Sequence, residues 1–105
     1  MYTIFETPTF HKLWPDYWTP DEFGEFTTFL AANPEAGVVE KESGGIRKVR
    51  WQRAGSGKSG GVRVIYYNRL ENGQIWLLVI YAKNVHDALE KKTLRLLVEK
   101  LNASF

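Results

Sequence analysis

The residues from 44 to 67 hold the side chains of this sequence that are best suited to chemistry on an anion. Six of the fourteen basic residues and six of the nine glycines lie there, together with none of the twelve acidic residues. The basic side chains are Arg47, Lys48, Arg50, Arg53, Lys58 and Arg63. Because the net charge of the chain is only +2, its positive field is concentrated in this stretch, and a polyanion such as nucleic acid would neutralise it.

The spacing of these residues predicts that three cations share one surface. Alternate residues of a strand lie on the same face, so Lys48 and Arg50 are expected side by side. Residues 54–61 are rich in Gly and Ser and predict a long hairpin connection, after which residues 62–69 return as a second strand. That pairing would bring Arg63 across from Lys48 and Arg50.

Clustered arginines and lysines could catalyse metal-free cleavage of RNA. That reaction removes the proton from a ribose 2′-OH, neutralises the extra charge on a pentavalent phosphate and protonates the 5′-oxygen that leaves. Arg50 and Arg63 suit the second task, because a guanidinium can contact phosphate through two parallel hydrogen bonds. Lys48 could act as the base if crowding by like charge lowers its pKa. From the residues alone, a basic face that only binds RNA or an acidic partner explains the cluster equally well.

Other chemistries are disfavoured by the sequence. Residues 52–59 resemble a phosphate-binding P-loop, but Gln52 stands where that motif has glycine, and a strand-like segment follows instead of a helix. The chain has no cysteine and only two histidines, His11 and His86, without a cluster of carboxylates beside them. We therefore expect no metal site and no cofactor. His86 is still a candidate site residue, because it follows the end of a predicted central strand.

The sequence also predicts where the protein acts. The absence of cysteine favours a reducing, intracellular compartment. The N-terminus lacks a basic segment followed by an apolar run, and the longest apolar run, residues 75–82, is too short to span a bilayer. We expect a cytoplasmic protein that does not bind a membrane.

The N-terminal part of the chain predicts one strand and two helices. Residues 2–6 are β-branched and aromatic and lead into a helix that begins after Thr7 and is ended or kinked by Pro15. Thr19 and Glu22 have the spacing of a capping box, which predicts the start of a second helix. A following Asn-Pro pair stops that helix.

The C-terminal part predicts the remaining strands and a last helix. Residues 35–43 are a polar connection to the basic hairpin, residues 71–73 predict a tight turn, and residues 74–82 predict a strand that is covered on both faces. Asn84 can cap the last helix. The buried face of that helix is predicted to comprise Leu89, Thr93, Leu94, Leu96, Leu97, Val98 and Leu101. The order β-α-α-β-β-β-α predicts an α+β fold in a single domain over residues 1–105.

Three ordered motifs resemble one protein family. GGIRKVRW, GKSGGVRVIYY and LLVIYAKN, together with NPEAG after the second helix, resemble the RelE-like toxins of bacterial type II toxin–antitoxin systems, in particular the HigB-type branch of the RelE/ParE superfamily. The resemblance covers essentially the whole chain. It implies a small, antiparallel-rich sheet with two N-terminal helices and one C-terminal helix. It also implies an endoribonuclease that cuts messenger RNA in the decoding site of the ribosome.

The resemblance also assigns residues to the site. The family's paired basic positions fall on Lys48 and Arg50, and its arginine on the third strand falls on Arg63. Where the founding member has an arginine after the fourth strand, this sequence has Lys83, and the family's later tyrosine would fall near Glu90.

Because no tyrosine stands there, the residue that acts as general acid is left undecided between Lys83, Tyr81 and His86. The predicted catalytic set is Lys48, Arg50, Arg63, Lys83 and His86, and the predicted RNA contacts are Arg47, Arg53, Lys58 and Tyr81.

These features together predict the toxin of a toxin–antitoxin pair that acts as a ribosome-dependent, metal-independent messenger endonuclease. Its partners would be the ribosome, messenger RNA and a cognate antitoxin, which in this branch often carries a helix-turn-helix DNA-binding domain. The alternative is a non-catalytic nucleic-acid-binding module of the same superfamily, such as the relatives that inhibit DNA gyrase.

Overall fold

A computed structural model of the chain describes residues 2–52, 61–82 and 91–103, and for residues 91–94 it describes the backbone alone. The elements are the strand β1 (Thr3–Glu6), the helix α1 (Pro8–Leu13), a 3-10 turn (Trp14–Asp16), the helix α2 (Pro20–Ala32), the strands β2 (Val38–Val39), β3 (Ile46–Trp51) and β4 (Val62–Arg69), a second 3-10 turn (Leu70–Asn72), the strand β5 (Gln74–Ala82) and the helix α3 (Lys91–Ala103). This arrangement confirms the predicted α+β class.

The two N-terminal helices begin where the capping residues predict. Thr7 precedes α1, and its side-chain oxygen accepts a hydrogen bond of 3.2 Å from the Phe10 N–H. At α2, Thr19 Oγ1 accepts from the Glu22 N–H at 3.2 Å, and the Glu22 carboxylate accepts from the Thr19 N–H at 2.9 Å. These bonds satisfy backbone donors that a helix start would otherwise leave unpaired.

The described strands form one five-stranded sheet in the order β1-β5-β4-β3-β2. β1 runs parallel to β5, and the other neighbours are antiparallel. The strand β2 lies within the stretch that was predicted as a plain connection, and it pairs with β3 through Val38 and Val39. Two residues are too few to show the alternation by which a strand is recognised in a sequence.

The two faces of the sheet are covered by different helices. On one face, Phe10 of α1 and Phe26 and Leu30 of α2 are fully buried in a core cluster that includes Val64 of β4 and Leu77 of β5. On the other face, a smaller cluster joins strands β3, β4 and β5 to α3. Its buried members are Ile46, Ile65, Leu78 and Val98.

Leu96 corrects the predicted buried face of α3. Leu97, Val98 and Leu101 contact the sheet, but Leu96 is 55% exposed, so its predicted burial was wrong. The three contacting residues define a narrow stripe, and the rotation of about 100° per residue carries Leu96 well away from it. Leu89, Thr93 and Leu94 lie outside the residues whose side chains are described.

Candidate active site

Strand pairing lines up three predicted site residues across the sheet. Arg50 of β3 lies directly opposite Arg63 of β4, and Arg63 lies directly opposite Tyr81 of β5. Directly opposite residues in antiparallel strands have Cβ atoms about 4.5–5.5 Å apart and share a face. We call Arg50, Arg63 and Tyr81 the cross-strand row. Lys48 stands two residues before Arg50 on the same face, opposite Ile65.

A shift in register places Tyr81 in the row. Along the pair of β4 and β5, β5 has one extra residue, Leu78, opposite the step from Ile65 to Tyr66. If the register that begins at the β4–β5 turn continued unchanged, Ile80 would lie opposite Arg63. Because one inserted residue turns all later side chains to the other face, the irregularity brings the phenol beside the guanidinium and sends Ile80 into the core.

Gly61 allows the backbone at the start of β4 to lie close to the backbone at the end of β3. Gly61 has a φ of +56°, and a Cβ added to it would lie 2.3 Å from the backbone oxygen of Trp51. No other residue type fits this close approach of two backbones. The tight fit fixes the first pair of the hairpin, and the pairing of Arg50 with Arg63 follows from it.

Lys48 has a carboxylate partner that the sequence did not reveal. Its Nζ lies 2.9 Å from Glu40 Oε1, and the two side chains are 29% and 31% exposed. The contact holds the Lys48 ammonium beside Glu40, and the arrangement therefore suits Lys48 as a fixed cation of the surface.

The turn between β2 and β3 holds Glu40 in place. The Glu40 N–H donates to the Ile46 carbonyl at 2.8 Å, and the Glu40 carbonyl accepts from the Ser43 hydroxyl at 2.6 Å. Ser43 is fully buried, and its oxygen also accepts from the Ile46 N–H at 3.0 Å. Val38 lies opposite Lys48 in the pairing of β2 with β3, and Glu40, two residues after Val38, lies on the same face as Val38. Recognition of β2 in the sequence would therefore have indicated this contact.

Arg47 lies on the opposite face of β3 from the cross-strand row. Its guanidinium donates to the Gly37 carbonyl at 2.7 Å and lies 3.7 Å from the Glu35 carboxylate. Opposite it, the Tyr66 hydroxyl accepts from the Gly37 N–H at 2.8 Å and donates to the Pro34 carbonyl at 2.9 Å. Burial raises the pKa of this tyrosine. The structure therefore separates Arg47 from the row and joins it to the segment that follows α2.

Four predicted site residues lie outside the described part of the chain. They are Arg53 and Lys58 of the hairpin connection and Lys83 and His86 after β5, and their assignments stay predictions. The predicted cap at Asn84 lies outside it as well. Among the described residues, no three His, Cys, Asp or Glu side chains come together in a group that could hold a metal ion.

The gathered groups are suited to an anion whose charge grows during a reaction. Two guanidinium groups can each offer paired N–H donors to phosphate oxygens, and such fixed donors cost no reorganisation as the charge develops. A phenol at the end of the row can donate one further hydrogen bond or a proton.

Comparison with known families assigns the chain to one of them. The family described as "RelE toxin of RelE / RelB toxin-antitoxin system" has a model that matches residues 4–103. The chain belongs to the RelE toxin family. The match confirms the resemblance seen in the hairpin motifs, and the α+β sheet agrees with it. It does not separate the HigB-type branch from others, so that finer assignment stays a prediction.

Membership of the RelE family defines the biological setting. The protein is the toxin of a toxin–antitoxin system, its family generally inhibits translation, and a cognate antitoxin is its partner. In the described ranges 2–52, 61–82 and 91–103, no helix combines the length and apolar character needed to cross a membrane.

Proposed function

We propose that this RelE-family toxin is a metal-independent endoribonuclease that cuts messenger RNA in the decoding site of the ribosome. The observation that supports this function best is the cross-strand row, in which Arg50, Arg63 and Tyr81 lie side by side across three strands. A surface that only attracted RNA would need cations alone. The row adds a hydroxyl, which can donate a hydrogen bond or a proton to a bound phosphate.

In the proposed reaction, the ribose 2′-oxygen attacks the adjacent phosphorus. Water takes the proton of the 2′-OH as the bond from phosphorus to the 2′-oxygen forms, the bond to the 5′-oxygen breaks, and the products are a 2′,3′-cyclic phosphate and a 5′-hydroxyl. Arg50 and Arg63 stabilise the pentavalent phosphate, since their hydrogen bonds strengthen as its charge grows. In this proposal Tyr81 donates a proton to the departing 5′-oxygen, with Lys83 and His86 as the other candidates for that step.

The remaining predicted residues serve RNA binding in this proposal. Arg53 and Lys58 of the hairpin contact the phosphate backbone, and Lys48 supplies a further cation on the same face as the row. Arg47 contacts RNA only if the message extends to the opposite face of β3, where its described partners lie.

The ribosome completes the site. In-line attack requires the 2′-oxygen, the phosphorus and the 5′-oxygen to be aligned, and holding reactants in such a geometry contributes several kcal/mol to a rate. A sheet surface alone does not impose that alignment on a flexible strand, whereas a ribosome presents the message in one conformation. We therefore place the action of the toxin in the cytoplasm. We assign the chain to the HigB-type branch, as one toxin domain over residues 1–105, with a helix-turn-helix antitoxin.

The decisive experiment compares one message in two states. The purified protein is incubated with end-labelled messenger RNA that is either free or bound to programmed ribosomes. We expect cleavage on ribosomes, with 2′,3′-cyclic phosphate ends, over a time in which the free message stays almost intact. Arg50→Ala, Arg63→Ala and Tyr81→Phe should each slow cleavage by about 10²–10³-fold.

Arg95→Ala is the matched control, because this arginine is exposed on α3 and lies outside the row. It should cut like the parent. A folded Arg63→Ala protein that cuts at the parental rate would refute the assignment of the row. Efficient cleavage of free RNA that is lost in His86→Ala would identify a self-sufficient, histidine-based ribonuclease instead.

A further inference from the structure

The contact between Glu40 and Lys48 places a negative charge on the face that is proposed to receive RNA. Lys48 is the neighbour of Arg50 on that face, and its ammonium lies 2.9 Å from the Glu40 carboxylate. A phosphate that approaches Lys48 must compete with this carboxylate for the ammonium. The pair therefore lowers the attraction of the face for any polyanion.

Fold stability does not explain the pair well. Both side chains are about one-third exposed, and ion pairs with that much contact with water contribute little to the stability of a fold. The turn that carries Glu40 is already fixed by the buried Ser43 hydroxyl, which bonds to the Glu40 carbonyl and to the Ile46 N–H. A surface selected only for tight RNA binding would gain affinity from an uncharged residue at position 40.

The opposite face of β3 provides a matched comparison. There, the Glu35 carboxylate lies 3.7 Å from the Arg47 guanidinium, and the Glu35 side chain is 71% exposed. Both pairs join a β3 cation to a carboxylate from the segment between α2 and β3. Only the pair of Glu40 and Lys48 shares a face with the cross-strand row.

We infer that Glu40 is a specificity-determining residue that weakens the binding of free RNA. Its carboxylate occupies the Lys48 ammonium, so that the face holds a loose strand poorly, while RNA that is positioned by the ribosome can displace it. This inference deepens the proposed function and rests on it for its biological meaning. The physical claim, that Glu40 competes with phosphate for Lys48, concerns binding alone.

The test measures the affinity of the whole purified chain for a fluorescent single-stranded RNA by anisotropy, with Glu40→Gln and Glu35→Gln as the compared variants. In Glu40→Gln the Lys48 ammonium is released and can contact one further phosphate. For single strands, the affinity gained from one such contact is proportional to the salt concentration raised to the power of about −0.7. Glu40→Gln should therefore bind about eightfold more tightly at about 50 mM salt and about threefold more tightly at about 200 mM. Glu35→Gln should stay close to the parent.

A double-mutant cycle with Lys48→Gln isolates the pair. Lys48→Gln should reduce RNA affinity only slightly in the parent, because the lysine is already engaged, and by about eightfold at about 50 mM salt in the Glu40→Gln protein. Thermal melts identify any variant that fails to fold. An unchanged affinity in folded Glu40→Gln, or a gain that persists without Lys48, would overturn the inference. Absence of cleavage on ribosomes by the parent would refute the proposed function without altering these binding results.

Discussion

Replacing Arg50 by glutamine is expected to stabilise the fold while it disables the site. Arg50 lies directly opposite Arg63 in the antiparallel pair of β3 and β4, and like charges in that position repel each other. If the two charge centres are about 6 Å apart in water, the repulsion is about 0.7 kcal/mol. For a domain of this size, its removal raises the melting temperature by about 3–5 °C.

Arg47 provides the contrast on the same strand. It is one of two arginines in β3, but its guanidinium donates a 2.7 Å hydrogen bond to the Gly37 carbonyl and is only 19% exposed. Arg47→Gln should therefore lower the free energy of unfolding by about 1.5–3 kcal/mol, the usual loss for a hydrogen bond to a charged group. The same substitution thus has opposite effects on stability at positions 47 and 50.

The assay is a thermal melt followed by circular dichroism, combined with single-turnover cleavage on ribosomes. Because the repulsion is electrostatic and the side chain of Arg50 is exposed, the gain in melting temperature should disappear at about 1 M salt, where the screening length is about 3 Å. Cleavage should be about 10²–10³-fold slower. A melting temperature below that of the parent at low salt, or a gain that survives high salt, would show that the reasoning is wrong.

Three further predictions concern the scaffold around the site. Tyr66→Phe should cost about 1–3 kcal/mol in urea unfolding, since it leaves the Gly37 N–H without its hydroxyl partner. Burial raises the pKa of Tyr66. The stability linked to its protonated form is therefore complete below the unfolded pKa of about 10 and is lost as the pH rises through the folded pKa. Between pH values of about 9 and 11, the parent should lose more stability than Tyr66→Phe. Gly61→Ala should destabilise the fold by several kcal/mol, because its Cβ would lie 2.3 Å from a backbone oxygen. Gly24 lies in open space on α2, so Gly24→Ala should stabilise the fold by about 0.5–1 kcal/mol in the same denaturation experiment. Equal effects of the two substitutions would contradict this expectation. Thr19→Ala should cost about 0.5–2 kcal/mol, because it breaks the capping box of α2, and a melt as high as that of the parent would show that the box contributes nothing.

The parts of the fold that could be predicted are those fixed by neighbouring residues. The capping box at Thr19 gives the start of α2, and Gly73, with a φ of +71°, marks the turn after which β5 begins at Gln74. The position of Lys48 and Arg50 on the same face follows from the alternation of side chains within a single strand. Each of these features depends on residues a few positions apart.

The parts that could not be predicted depend on how distant strands align. The irregularity at Leu78 decides whether Tyr81 or Ile80 faces Arg63, and nothing in the apolar run of β5 shows where the extra residue falls. The contact of Glu40 with Lys48 requires the two-residue strand β2, which is too short to give a pattern. Side-chain direction changes with every single-residue shift, so a small uncertainty in register becomes a complete uncertainty about the site.

The parallel pairing of β1 with β5 makes the folding of this toxin depend on a late stage of its own synthesis. The N-terminal part of a chain leaves the ribosome first, and α2, with its local cap, can form early. The backbone N–H and side chain of Thr7, however, bond to Leu77, which is 70 positions away. Closing so large a loop costs entropy, and folds with many distant contacts form slowly.

A nascent chain that has produced β3 therefore already carries Lys48 and Arg50, but the strand that contributes Tyr81 and pairs with β1 has not yet been made. Under the proposed function, toxicity then arises in one late step, when β5 joins the sheet. Until that moment the cell contains the basic sequence of the toxin without the cross-strand row.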